Sequence, residues 1–185
     1  MKKLLIAACL CFPALCCFAG NNLYYSKGYR ASISAGWPPT DGERVELTTA
    51  HGYSFGNGLF VGGGLGVDYG FYGVNGKNHS VFIPIFANIK YSFLNRTVSP
   101  FVDLRGGALI DYSSSGAGYS VMPSIGADVW RFSVGAGYEM QSLAYMEEYR
   151  LVSDPAADNS QISAAGLKQV QRGSFLVKIY IAFRF

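Results

Sequence analysis

After roughly its first twenty residues, the sequence alternates between apolar residues and small or polar residues, and this alternation recurs in eight segments. In the first of them, Ser32 and Ser34 separate Ala31, Ile33 and Ala35. A period of two places successive side chains on opposite faces of a β-strand, so each segment has one apolar face. No long apolar run follows the N-terminal segment, and a membrane protein with this pattern would have to span the bilayer with strands.

The eight segments predict strands of a length suited to a bilayer. They cover residues 29–37, 45–55, 59–71, 83–93, 102–112, 119–129, 132–141 and 175–185. A strand of about 9–11 residues crosses a bilayer when it is tilted. Aromatic residues such as Tyr29 and Trp37 lie at the ends of the apolar faces, as in the girdles of membrane barrels. The opposite faces carry charges and glycines that a sandwich core would not tolerate unpaired. We predict an all-β fold, an eight-stranded antiparallel transmembrane β-barrel with up-and-down meander order.

The N-terminus predicts export from the cytoplasm. Lys2 and Lys3 precede an apolar run that extends to Phe18, and Ala19 supplies a small residue for cleavage, which is the layout of a secretory signal peptide. We predict a signal peptide at residues 1–19 and one β-barrel domain at residues 20–185, located in the cell outer membrane. All four cysteines lie in the segment to be removed, so the mature chain offers no disulfide and no cysteine ligand for a metal.

Connection lengths predict the orientation of the barrel. The odd connections are Pro38–Arg44, Gly73–Ser80, Ser113–Gly118 and Ala144–Gly173, and the even ones are Gly56–Gly58, Leu94–Ser99 and the turn at Trp130-Arg131. Outer-membrane barrels place long loops outside the cell and short turns in the periplasm, so the odd connections are predicted to be extracellular. The segment 144–173 carries mixed charge, and it is either a binding site for a surface ligand or a solvated loop.

The C-terminal segment carries a resemblance to a known family. It alternates to its last residue, with Ile181, Phe183 and Phe185 on the apolar face. This resembles the terminal strand that the barrel-assembly machinery reads in Gram-negative outer-membrane proteins, and the chain is similar to the small barrels related to OmpA and OmpX. Residues 83–91 and 98–103 also resemble outer-membrane β-barrel domain proteins of the Bacteroidetes type. The resemblance covers essentially the whole mature chain and implies an assembly signal, but it implies no particular activity.

Charged residues collect on the polar faces of the predicted strands. They are Arg30, Glu46, Asp68, Lys90, Asp103, Arg105, Asp128, Glu139 and Lys178. In a barrel of about eight strands the lumen is just wide enough for side chains to fill it. We therefore expect these residues to form a lumen network of ion pairs. The alternative is a narrow, porin-like gated pore in which the pairs exchange partners.

A lipid-modifying barrel enzyme is the less favoured alternative. Such an enzyme needs a base, a nucleophile and an oxyanion donor in register. His51 has the parity of the lipid-facing side, and His79 lies in a predicted loop, where Asn78-His79-Ser80 does not match a deacylase motif. We expect no catalytic residue, no cofactor and no metal site, and a structural or surface-interaction role through the extracellular loops. Outer-membrane lipid and lipopolysaccharide would surround the barrel.

Three features bear on strand register and partners. Pro84 and Pro123 fall inside predicted strands, where proline removes a ladder hydrogen bond, so we expect a bulge at each. For His51, two interpretations remain: a neutral side chain on the lipid face, or a bulge near Gly52 that shifts the register.

The formal net charge is +3, of which the signal segment carries two charges. The +1 that is left implies no basic face for nucleic acid.

Overall fold

The chain forms a closed barrel of eight antiparallel strands in sequence order, in which β8 pairs with β1. A computed structural model describes residues 22–39, 44–70, 80–112, 116–150 and 163–184. The strands are β1 (Lys27–Trp37), β2 (Arg44–Phe55), β3 (Leu59–Gly70), β4 (Ser80–Ser92), β5 (Val98–Asp111), β6 (Gly116–Val129), β7 (Phe132–Arg150) and β8 (Ser163–Arg184). The predicted all-β, eight-stranded meander is confirmed. The predicted signal peptide lies outside the described residues.

The two ends of the barrel differ. The turn end carries the short connections β2–β3, β4–β5 and β6–β7, together with a 3₁₀ helix at Leu23–Tyr25 that precedes β1. The loop end carries the other connections, and there β7 and β8 continue pairing up to Arg150 and Ser163. Most of the predicted loop at residues 144–173 is therefore a strand extension rather than a loop. In the described part of the chain, no helix is long and apolar enough to cross a bilayer.

Backbone conformation at the turn end explains two of the tight turns. Gly56 and Gly58 adopt φ angles of 83° and 87°, in the left-handed region that glycine enters without a steric penalty. Trp130 has a φ of 58°, which the two-residue β6–β7 hairpin requires because positive φ matches the turn to the twist of its strands. These positions lie in the β2–β3 and β6–β7 connections and allow the chain to reverse direction within a few residues.

The predicted bulges at the prolines are wrong. β3 and β4 keep one register on both sides of Pro84, since Leu65 pairs with Ile85 and Asp68 pairs with Phe82. The β6–β7 ladder likewise continues in one register across Pro123 and omits only the pairs next to it. The barrel accommodates each proline by losing hydrogen bonds on one side of a strand, without inserting a residue.

The β1–β2 and β2–β3 ladders also run without a bulge at His51, which lies on the outer face.

Alternation divides the barrel wall into an apolar outer face and a polar inner face. Ile33, Ile85 and Ile89 project outward and are about half exposed, whereas alternate residues between them are buried. Trp37 lies at the loop end of this outer face, and Trp130 lies at its turn end. The outer face has no protein to pack against, so the polar side chains, and not the aliphatic ones, form most of the interior.

Candidate functional site

The lumen divides into three groups of charged side chains, and the sequence-predicted charges are distributed among them. The loop-end cluster contains Arg44, Asp68 and Glu139. Arg44 donates from Nη1 to Asp68 Oδ2 at 2.7 Å and from Nη2 to Glu139 Oε2 at 2.6 Å. All three side chains are less than one-tenth exposed. One guanidinium thus bridges carboxylates from two strands that are not neighbours in the barrel.

The middle cluster is built around Glu46. Its Oε1 accepts a hydrogen bond from Lys178 Nζ at 2.5 Å and a longer one from Arg105 Nη1 at 3.4 Å. Arg105 also donates to Thr48 Oγ1 at 3.1 Å and to Ser34 Oγ at 3.2 Å. The Arg105 guanidinium therefore links β5 to β1 and β2 across the lumen.

Asp103 extends the middle cluster toward the turn end of the barrel. Asn88 donates its amide to the Asp103 carboxylate, and Arg105 Nε lies 3.7 Å from Asp103 Oδ2. The guanidinium of Arg105 also stacks over Phe86, 4.7 Å from the ring centroid. Room for this ring comes from Gly64, where a Cβ would lie 2.5 Å from Phe86 Cζ. A glycine on β3 thus makes room for a bulky inward side chain on the neighbouring strand β4.

The turn-end cluster surrounds Lys90. Its ammonium lies 2.5 Å from Asp128 Oδ1 and 3.2 Å from Ser133 Oγ. Aromatic rings enclose the same ammonium, with the centroids of Phe101 and Tyr24 at 4.0 and 4.4 Å. Ring faces attract a desolvated cation. This enclosure keeps the Lys90 ammonium almost entirely buried.

Residues Asn22–Tyr25, which we call the N-terminal cap, close the turn end. Tyr24 packs edge-on against Phe60 at 5.8 Å between ring centroids. The carbonyl of Tyr24 accepts a hydrogen bond from Ser54 Oγ at 2.6 Å. Burial raises the pKa of the Tyr24 phenol, so the ring that faces Lys90 is neutral.

Arg30 holds this cap rather than joining the charge network. Its guanidinium donates to the carbonyls of Leu23 at 3.2 Å and of Ser26 at 2.6 Å. The structure gives it no carboxylate partner among the described residues. Asn22 connects the N-terminal cap to the β4–β5 turn, because its backbone N–H donates to Asn95 Oδ1 at 3.2 Å. The structure thus brings eight of the nine predicted lumen charges into ion pairs and places Arg30 beneath them.

An apolar cluster of Phe82, Leu109 and Leu143 lies at the loop end of the lumen. Leu109 is the most buried of the three, with 1% of its surface exposed. Between this cluster and the N-terminal cap, a cavity of about 20 Å³ lies beside Glu46, Asp68 and Lys178. A volume of this size admits about one water molecule and no solute. Side chains of the described residues therefore fill most of this part of the lumen.

The extension of β7 and β8 beyond the barrel forms a two-stranded ribbon. Six residue pairs, from Tyr145↔Lys168 to Arg150↔Ser163, follow Ala144↔Gln169. In the described residues, β6 pairs with β7 no further than Ala144, and β1 pairs with β8 no further than Val177. At about 3.3 Å per residue, the ribbon projects ~20 Å past the last β6 pair. Both of its edges offer backbone N–H and C=O groups to a further strand.

The outward histidine, His51, has two hydroxyl groups as neighbours. His51 Nδ1 lies 2.6 Å from Tyr29 Oη, and its Nε2 lies 3.0 Å from Thr49 Oγ1. The described residues place no carboxylate in that group, and no three His, Cys, Asp or Glu side chains among them are arranged to hold a metal ion. His79 lies outside the described residues.

Two of the three predicted assembly residues are described. Ile181 and Phe183 lie on the outer face of β8, where it pairs with β1 and closes the barrel, and Phe185 lies outside the described residues.

Sequence reasoning missed Arg44, which it assigned to a loop. Arg44 shares the parity of Glu46 two residues later, and that parity was the available signal for an inward side chain.

Comparison with protein-family models gave no match to this chain, and comparison with curated proteins gave none either.

Proposed function

We propose that this protein is a non-conducting outer-membrane β-barrel that presents the β7–β8 ribbon at the cell surface for interaction with another protein. The observation that carries the proposal is a pair of features of the described residues: side chains fill the lumen, and the edges of the ribbon lack a partner strand. A filled lumen argues against an open channel, and the conductance test below addresses a gated one. The ribbon is the part of the barrel that can bind by strand addition, since its backbone groups can pair with an extended segment of a partner.

The membrane assignment rests on the outer face. Aliphatic side chains such as Leu65, Ile85 and Ile89 are half exposed there, and in water they would form one continuous apolar surface around the barrel. Soluble monomers rarely expose contiguous apolar patches larger than a few hundred Å². Burial of this surface in hydrocarbon removes the free-energy cost of exposing it to water. A closed barrel also leaves no backbone edge unpaired inside the bilayer. Export through the predicted signal peptide and insertion by the barrel-assembly machinery complete the proposal.

The first test measures planar-bilayer conductance of refolded residues 20–185, after a heat-shift gel has verified that the barrel is folded. We expect no conductance steps, because ion pairs, the loop-end apolar cluster and the N-terminal cap fill the lumen. Discrete steps that change in Glu46→Ala or Arg105→Ala would show that the middle cluster is a gate and would contradict a non-conducting role.

The second test removes the ribbon while leaving the barrel intact. Ala144 and Gln169 are Cα partners, so an Asn-Gly turn can replace residues 145–168 and close β7 onto β8. We expect cells that carry the shortened protein to lose adhesion to immobilised extracellular protein, while the heat-shifted band of the barrel remains. The control replaces residues 71–79, in another loop-end connection, with the same turn. Equal adhesion of the shortened and control proteins would overturn the assignment to the ribbon.

A further inference from the structure

The turn end of the barrel carries exposed basic side chains that take no part in the lumen network. They are Lys27, Arg96, Arg131 and Arg184, which we call the basic arc. The first begins β1 and the last ends β8, while the other two lie in the β4–β5 and β6–β7 turns. Four separate parts of the chain therefore each bring one cation to the same end of the barrel.

A backbone hydrogen bond between two turns holds the middle of the basic arc together. Arg96 is followed by Thr97, whose carbonyl accepts a hydrogen bond from the N–H of Trp130 at 2.8 Å. Trp130 precedes Arg131, and the Arg131 guanidinium stacks over the indole ring, 4.9 Å from its centroid. The β4–β5 and β6–β7 turns thus bring the two arginines to adjacent parts of the rim.

The other two members continue the arc along the rim. The carbonyl of Arg131 accepts a hydrogen bond from the N–H of Ala182 at 2.7 Å, two residues before Arg184. Arg184 Nη1 donates to Ser26 Oγ at 3.4 Å, and Ser26 precedes Lys27. The basic arc therefore follows the rim from the β4–β5 turn, past the β6–β7 turn and the end of β8, to the start of β1.

Acidic side chains do not balance the basic arc. Toward this end of the barrel, the described residues include Asp103 and Asp128, and both are buried in the lumen. Asn88 donates to Asp103, and Lys90 donates to Asp128. Among the described residues, no basic-arc member forms an ion pair. Side chains of one sign along one rim attract ligands of the opposite sign, which here are anions.

Aromatic side chains border the basic arc on the outer face. Phe93, Phe132 and Phe183 project outward there, and each lies within three residues of a basic-arc member. Aromatic girdles mark the two membrane–water interfaces of an outer-membrane barrel. In the proposed membrane location, the basic arc therefore lies at the headgroup level of the leaflet that surrounds the turn end.

We propose that the basic arc binds anionic glycerophospholipids of that leaflet, with their phosphates against the guanidinium groups and their acyl chains along the neighbouring aromatic rings. A guanidinium can bind a phosphate through two parallel hydrogen bonds, and cations near a membrane surface attract anionic headgroups. An acidic peptide would pair with the cations but would leave rings such as Phe132 uncovered, whereas a lipid covers both. The inference rests on the proposed membrane location and adds to it a preference for one class of lipid at one end of the barrel.

The test measures which lipid lies beside Trp130, between the two arginines of the arc. The chain has two tryptophans, so Trp37→Phe leaves Trp130 as the sole reporter. Refolded residues 20–185 with this change are placed in vesicles of phosphatidylethanolamine and phosphatidylglycerol. One of the two lipids at a time carries brominated acyl chains, which quench tryptophan fluorescence on contact.

We expect phosphatidylglycerol to bind beside Trp130 about fivefold more tightly than phosphatidylethanolamine, which corresponds to ~1 kcal/mol for one cation near the surface. Arg96→Gln should lower this preference, and the addition of Arg131→Gln should abolish it. Salt at about 1 M should also reduce the preference, because it screens charges at the membrane surface.

Two matched controls separate the basic arc from the rest of the barrel. Trp130→Phe leaves Trp37 as the reporter at the loop end, where we expect the two lipids to quench equally. Lys77→Gln also removes one cation, from the β3–β4 connection, and should leave the preference at Trp130 unchanged. A heat-shift gel verifies that each variant is folded.

Three results would overturn the site: equal quenching of Trp130 by the two lipids, an equal preference at Trp37, or a preference that survives the loss of both arginines. The same assay separates this inference from the proposed function. A folded barrel whose Trp130 is quenched equally by both lipids refutes only the lipid site. A folded protein that neither lipid quenches lies outside the bilayer and refutes the membrane proposal as well.

Discussion

Removal of Arg44 should destabilise the barrel more than any exposed substitution. The guanidinium contacts Asp68 at 2.7 Å and Glu139 at 2.6 Å, and both carboxylates are buried. Arg44→Met would leave two carboxylates in the lumen without their shared cation. Breaking a buried ion pair by removing one partner costs about 3–5 kcal/mol, because the remaining charge is desolvated and unpaired. We expect a loss of that size in the free energy of unfolding.

The assay is urea unfolding of the barrel in phospholipid vesicles, followed by tryptophan fluorescence. The chain has two tryptophans, and Trp37 and Trp130 report on opposite ends of the outer face. Lowering the pH should reduce the difference in free energy of unfolding between the wild type and Arg44→Met. Protonation removes the charge from the carboxylates that have lost their partner. Adding Asp68→Asn and Glu139→Gln should recover more than half of the loss, because no unpaired charge is then buried.

The control for this series is Lys27→Met, which removes an exposed cation at the start of β1. Exposed substitutions of this kind usually change stability by less than about 0.5 kcal/mol. A loss below about 1 kcal/mol in Arg44→Met, or no recovery in the triple variant, would mean that water solvates the two carboxylates. The loop end of the lumen would then be open to water.

Three further substitutions test other parts of the barrel. Ile85→Arg, on the outer face of β4, should destabilise the inserted state by about 2–4 kcal/mol in the same assay, whereas Ser32→Ala should have little effect; an Arg variant as stable as wild type would contradict the membrane assignment. Tyr24→Ala should cost about 3–5 kcal/mol through lost packing with Phe60, and stability equal to that of the wild type would show that the N-terminal cap is not part of the folded unit. Leu109→Ala should cost about 2–5 kcal/mol, and a smaller effect would mean that the loop-end apolar cluster is open to water.

The number of strands, their order and the face of most side chains within the predicted strands followed from the sequence alone. A strand has a side-chain period of two, so Asp68 and Arg105 were assigned inward from parity, without knowledge of any partner. The prolines show where this local reasoning fails. It predicted bulges at Pro84 and Pro123, but barrel closure holds each strand between two neighbours, and the register is kept while hydrogen bonds are lost on one side.

Only the tertiary structure decided which charges pair and what closes the ends. Glu139 meets Arg44 across 95 positions of sequence, and Glu46 meets Lys178 across 132. These contacts depend on how far each strand is staggered when the barrel closes, and alternation within one strand carries no information about that stagger. The β7–β8 ribbon escaped prediction for a related reason. The sequence of these residues does not alternate between apolar and polar side chains as the other segments do, so the pattern that predicted the other strands does not extend into them.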